Sequence, residues 1–210
     1  MKKNYKSFLV LVLSVLLAHS VSYSQKFEGG IMAGLLGSQV AGDPSSGYNK
    51  LGGYFGLMVK RQITLKSAAQ LEIYYIQKGA RENPREENGY FQYLMKINNI
   101  EIPLLYIYTI NKQLQIPVGI AYTYLLGTPY EEANFSSAVP NTPFNKHSAT
   151  FILGINYIIS DHLSASFRTN NSILPIRPHA SGATRLFNQG QYSDALTIGL
   201  VYHFINPKNN

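Results

Sequence analysis

A chain of 210 residues with no cysteine, no tryptophan and a formal net charge of +7 can bury a sizeable core, but it has no disulfide, no thiolate metal site and no lipid-modified N-terminal cysteine. The basic excess sits largely at the start, where Lys2, Lys3 and Lys6 precede an apolar run from Phe8 to Ala18; without these lysines the charge falls to +4. No lysine- and arginine-rich stripe with interleaved aromatics is left, so nucleic-acid binding has little support and no nucleic-acid partner is expected.

Residues 1–24 read as an export signal peptide, with the basic start, the apolar run and a small-x-small site, Ser22-Tyr-Ser24, before Gln25. Residues 25–210 then make one expected domain. No later stretch approaches the roughly eighteen consecutive apolar residues of a membrane-spanning helix. A closed barrel is the remaining way through lipid, because it satisfies every backbone hydrogen bond internally.

Period-two alternation predicts strands over 26–38, 51–63, 68–79, 91–108, 114–126, 147–159, 163–172 and 192–204. The expected fold is therefore all-β, an up-and-down, eight-stranded antiparallel transmembrane β-barrel. In the second segment Phe55, Leu57 and Val59 oppose Tyr54, Gly56, Met58 and Lys60. In the third, Leu71, Ile73 and Tyr75 oppose Gln70, Glu72, Tyr74 and Lys78.

The fourth segment breaks phase. Tyr93, Met95 and Ile97 share one parity and Ile100, Ile102, Leu104 and Tyr106 the other, so a β-bulge is expected near Asn98-Asn99, with Pro103 pointing inward. The fifth sets Ile116, Val118, Ile120, Tyr122 and Tyr124 against Pro117, Gly119, Ala121 and Thr123. The last sets Leu196, Ile198, Leu200, Tyr202 and Phe204 against Thr197, Gly199, Val201 and His203.

Connections alternate between short (64–67, 109–113, 160–162) and long (39–50, 80–90, 127–146, 173–191), as periplasmic turns and extracellular loops do in outer-membrane barrels. With both termini periplasmic, Tyr75, Tyr93, Tyr122 and Tyr124 fall at the outer rim, and Phe27, Tyr106, Tyr157, Tyr202 and Phe204 at the periplasmic rim, as two lipid-facing girdles.

The segments Phe27-Glu-Gly-Gly-Ile-Met-Ala-Gly34, Leu71-Glu-Ile-Tyr-Tyr-Ile-Gln-Lys-Gly79, Asn99-Ile-Glu-Ile-Pro-Leu-Leu105 and Gly199-Leu-Val-Tyr-His-Phe204 resemble the PorT-like outer-membrane β-barrel proteins of Bacteroidota. The resemblance implies an integral outer-membrane barrel, in a family whose namesake is associated with type IX secretion and gliding. Two departures are the tail of residues 205–210 after Phe204 and Thr169 following Arg168, where such barrels often carry an Arg-Tyr pair.

By parity the inward charges are Lys60, Glu72, Lys78, Lys96, Glu101 and Arg168. An eight-stranded bore is just wide enough to be filled by side chains, so these charges need partners across it. The expected site is a structural lumen network of Lys60, Glu72, Glu101 and Arg168, centred on a Glu72–Arg168 pair.

Catalytic and cofactor chemistry find little footing. His19, His147, His162, His179 and His203 never stand at metal-ligand spacing, and nucleophile-elbow, phosphate-loop and dinucleotide motifs are missing. No cofactor is therefore expected. His147-Ser148 at the head of the sixth strand suits either a lipid-A deacylase or, more simply, the end of a loop, and Glu72 and Glu101 suit ion pairing better than acid/base hydrolysis. Tyr130, Phe135, Phe144, Arg177, Arg185 and Phe187 on the longest loops suit partner recognition or anchoring to lipopolysaccharide.

The expected protein is a non-enzymatic, monomeric barrel of the cell outer membrane with a structural, envelope-assembly or secretion-accessory role. Its expected partners are outer-membrane lipid, lipopolysaccharide and envelope or secretion proteins. The alternatives are a narrow pore and a lipid-A-modifying barrel enzyme.

Overall fold

Period-two sequence becomes long strands in a computed structural model that describes residues 27–134, 136–137, 142–178 and 182–204; the expected signal peptide and the C-terminal tail lie outside them. The barrel strands, apart from three two-residue strands in the long loops, are β1 (Phe27–Ala41), β2 (Lys50–Thr64), β3 (Ser67–Glu82), β4 (Tyr93–Thr109), β5 (Leu114–Ala133), β6 (His147–Ile158), β7 (Leu163–Ser172) and β8 (Tyr192–His203). Each pairs antiparallel with the next, and β8 returns to β1 through pairs such as Gly34–Gly199, closing the ring. Closure gives every one of these strands a hydrogen-bonded neighbour on both sides.

The faces are inverted relative to a water-soluble core. Leu57, Ile73, Leu104, Ile120, Phe167 and Leu200 stand exposed on the outer wall, whereas Lys60, Glu72, Lys78, Glu101 and Arg168 are buried inside. An apolar outside around a polar inside is the pattern of a barrel solvated by lipid. Phe27, Tyr106, Tyr157, Tyr202 and Phe204 ring the outside at the short-turn rim, with Tyr122 and Tyr124 outward at the long-loop rim. Short turns are tied locally: the Asn111 carboxamide oxygen accepts the N–H groups of Gln113 and Leu114, both at 2.9 Å.

The fourth strand departs from expectation. Its parity never switches, so Tyr93, Met95 and Ile97 face inward together with Asn99, Glu101, Pro103 and Leu105. Tyr93 is therefore not a girdle residue. The reason is that the outer part of the lumen is apolar, built from Val40, Ala80, Tyr93, Met95, Ile97, Leu125 and Ile176, and there an apolar side chain does not mark the lipid face. The irregularity lies on β5 instead: pairing steps from Lys96–Tyr130 to Asn98–Leu126, and the extra residues include Gly127 at φ 66°. One consequence is that Lys96 points outward rather than into the lumen. Pro103 does point inward, and the β3–β4 ladder skips it between Leu71–Leu104 and Tyr74–Glu101, where its missing N–H is not needed.

The closing seam depends on two glycines. Gly34 and Gly199 face each other, and the Tyr54 ring lies across them so closely that a Cβ on either would strike the ring or the opposite backbone.

Candidate functional site

The lumen holds three tiers of polar contact. In the middle tier, strands on opposite walls deliver Glu72 from β3 and Arg168 from β7, and the guanidinium Nη1 donates to Oε2 at 2.7 Å. Gln70 donates to the other carboxylate oxygen at 2.5 Å. Arg168 Nε donates to Ser166 at 2.9 Å, and Ser166 donates in turn to Asn156 at 2.8 Å, which fixes the guanidinium plane. Glu101 takes a separate cation, Lys78, at 2.5 Å, and accepts the Tyr74 hydroxyl at 2.9 Å. Asn170 donates to the Tyr74 oxygen at 3.2 Å, so the β7 wall is linked to the Glu101 pair through a tyrosine. Charges this deep are sustained by pairing and by satisfied lone pairs.

Lys60 is not part of that tier. Its ammonium meets Glu28 at 2.7 Å near the short-turn end, where the other Glu28 oxygen contacts His203 Nδ1. His203 Nε2 lies 2.9 Å from the Ser164 hydroxyl. With Nδ1–H turned to the carboxylate, Nε2 accepts from Ser164, which is the order of a serine, an imidazole and an acid in hydrolases. Here Ser164 is 3% exposed, and the acid is already matched by Lys60. Both Ser164 and His203 are buried at this end of the lumen. Glu28 and His203 escaped the sequence reading of lumen charges, although both share parity with inward Met32 and Val201.

The outer tier closes the mouth. Arg177 grips Glu131 with two nitrogens at 2.9 and 3.0 Å, donates Nε to Gln191 at 2.6 Å and stacks over Phe144 at 4.6 Å. Tyr93 donates to the same Glu131 at 2.6 Å, and Gln191 reaches the Gly42 carbonyl at 2.9 Å. Three long loops are thus fastened over the apolar cluster. Burial in this crowd pushes the Asp43 carboxyl up to about 6, against the hydrogen bonds from Ser45 and with Glu131 and Arg177 as the facing charges. Arg185 makes a two-pronged pair with Asp194 at 2.7 and 2.6 Å.

Two of the loop arginines expected to meet a partner are therefore turned inward and engaged. Phe187 is fully exposed, Tyr130 is exposed on the outer wall, and Phe135 lies outside the described residues. His147 and Ser148 do not form a dyad. Successive residues point to opposite faces, so His147 meets the Tyr122 hydroxyl at 2.5 Å outside while Ser148 donates to the Leu174 carbonyl at 3.2 Å inside.

The family described as outer membrane protein beta-barrel domain matches residues 22–176. No curated protein matches the chain. Similar solved structures include Neisserial surface protein A (TM-score 0.49, 9% identity, 85% of this chain and 97% of that one). A major outer membrane protein from Thermus thermophilus is similar at TM-score 0.47 and 12% identity, covering 85% and 99%. The attachment invasion locus protein of Yersinia pestis, Ail, is similar at TM-score 0.46 and 12% identity, with the same shares covered.

Proposed function

The chain belongs to the outer membrane protein beta-barrel domain family and is an outer-membrane protein, and from that premise we propose that it acts as a sealed, non-catalytic barrel with a structural or secretion-accessory role in the envelope. The observation that carries this reading is the filled bore: Arg168 spans the lumen to Glu72, and the Arg177–Glu131 clasp fastens the loops above an apolar layer. A pore needs a continuous polar path, and the apolar cluster beneath the clasp interrupts it.

Within this reading the barrel is of the PorT-like kind. Two of the segments that carry the resemblance, residues 71–79 and 99–105, meet in the lumen, since Lys78 and Tyr74 of one bind Glu101 of the other. The outward apolar band takes membrane lipid, lipopolysaccharide included, and a closed ring suits a monomer.

A deletion strain tests the role. Loss of the gene is expected to raise sensitivity to detergents and large antibiotics or to impair secretion and gliding, with wild-type complementation restoring it. A strain unaffected in all of these has no need of the barrel for envelope or secretion, and the reading fails.

A further inference from the structure

At the outer rim the regular β2–β3 ladder ends at Tyr54–Ile76, although Gly52 still lies against the Gln77 carbonyl, while β3 and β4 stay paired out to Glu82–Tyr93. A cavity of about 370 Å³ at this rim has Lys50, Arg81 and Lys96 among its lining residues. Lys50 is 8% exposed, and its ammonium donates to the carbonyl of its own neighbour Leu51, at 2.8 Å. An ammonium carries three donors, so one such bond leaves capacity for a ligand. The charges acting on Lys50 are Lys96 and Arg81, both of its own sign.

Among the described lining residues the carboxylate is Glu82, and it is taken by Arg85 at 2.7 Å and Asn88 at 3.0 Å. Arg81 uses Nε on Asn83 at 2.8 Å, and Lys96 rests over the Tyr130 ring at 5.2 Å. One buried and two exposed cations around a cavity repel one another, and a bound anion offsets that repulsion. The lip is formed by Leu51, 70% exposed on the outer wall, and by Leu94, so the opening borders the lipid-facing surface.

We propose that this cavity binds a phosphate group, with Lys50, Arg81 and Lys96 as its ligands. The volume admits a phosphorylated sugar, and the apolar lip suits one carried on acyl chains, as in the phosphoglycolipid of the outer leaflet. The proposal rests on the outer-membrane placement of the long-loop rim and deepens the lipid contact proposed above.

The test uses the full barrel in nanodiscs, titrated separately with bis-phosphorylated lipid A, its dephosphorylated form and inorganic phosphate, and read by ³¹P NMR and affinity. Phosphorylated lipid is expected to bind at least about tenfold more tightly than the dephosphorylated lipid, with that advantage lost in Lys50→Gln and Lys96→Gln. Lysine-dependent binding of inorganic phosphate with no preference between the lipids supports the phosphate site and assigns free phosphate as its source. Equal lipid affinities together with no lysine-dependent phosphate signal overturn the proposal. Lys96 is exposed, so Lys96→Gln keeps the test available even if Lys50→Gln folds poorly. A heat-modifiable, membrane-extracted variant shows that the structural reading stands independently.

Discussion

Arg168 on β7 and Glu72 on β3 stand four strands apart, the widest separation a ring of eight allows, and still meet at 2.7 Å with both side chains buried. The contact fills the bore that the narrow ring leaves and makes each charge the condition for burying the other. Breaking one partner of such a pair typically costs about 3 to 5 kcal/mol. Arg168→Met is therefore expected to lower the urea unfolding midpoint in detergent, and adding Glu72→Gln is expected to recover part of the loss. Simple additivity in this double-mutant cycle would show that the two side chains do not act together.

A second prediction concerns closure. Gly199→Val places a branched side chain where Tyr54 and the Ala33 carbonyl already stand. Overpacking of this kind costs about 1 to 3 kcal/mol or more, and here it strikes the β1–β8 seam. Less heat-modifiable barrel on unboiled gels is the expected result, whereas Gly127→Val, with open space around it but φ at 66°, is expected to cause only local strain at the bulge. Equal yields of folded barrel from wild type and Gly199→Val would contradict the tight seam.

The loop clasp should respond to pH. Asp43 has its carboxyl raised by burial to about 6, above the roughly 3.9 of an unfolded chain. A raised carboxyl binds protons more tightly in the folded state, so its ionisation opposes folding at pH 7, and that opposition is relieved as pH falls through 6 toward 4. Hydrogen exchange of residues 42–49, corrected for intrinsic rates, is expected to be slower at pH 5 than at pH 7. Asp43→Asn is expected to flatten that difference. Faster exchange at pH 5 in the wild type contradicts the sign.

Ser164, His203 and Glu28 bear on the proposed lack of catalysis. Because Ser164 is buried and its partner acid is matched by Lys60, a fluorophosphonate probe is expected to leave Ser164 unlabelled in folded barrel. Glu28→Gln is expected to destabilise by leaving Lys60 buried alone. Stoichiometric labelling lost in Ser164→Ala would make the trio a working hydrolase site.

Much of this was legible because a lipid-solvated barrel writes its two faces into alternate residues. The parities of β2, β3, β5 and β8, the short and long connections, and the inward Glu72, Glu101 and Arg168 all follow from that period. The outer half of β4 did not, because Tyr93, Met95 and Ile97 pack on other inward apolar residues, so hydrophobicity there carries no information about lipid. The same ambiguity misplaced the bulge and turned Lys96 to the wrong side. Pairings such as Glu28 with Lys60 and His203 depend on registers that bring β2 and β8 together on either side of β1, which alternation along a single strand does not encode.

The sealed bore is tested most directly by planar-bilayer recording of the purified, refolded barrel. Wild-type protein is expected to give no steady conductance, with current appearing only when both the middle pair and the clasp are removed, as in Arg168→Ala combined with Arg177→Ala. Steady, ion-selective conductance of the wild type under the same conditions would contradict the account.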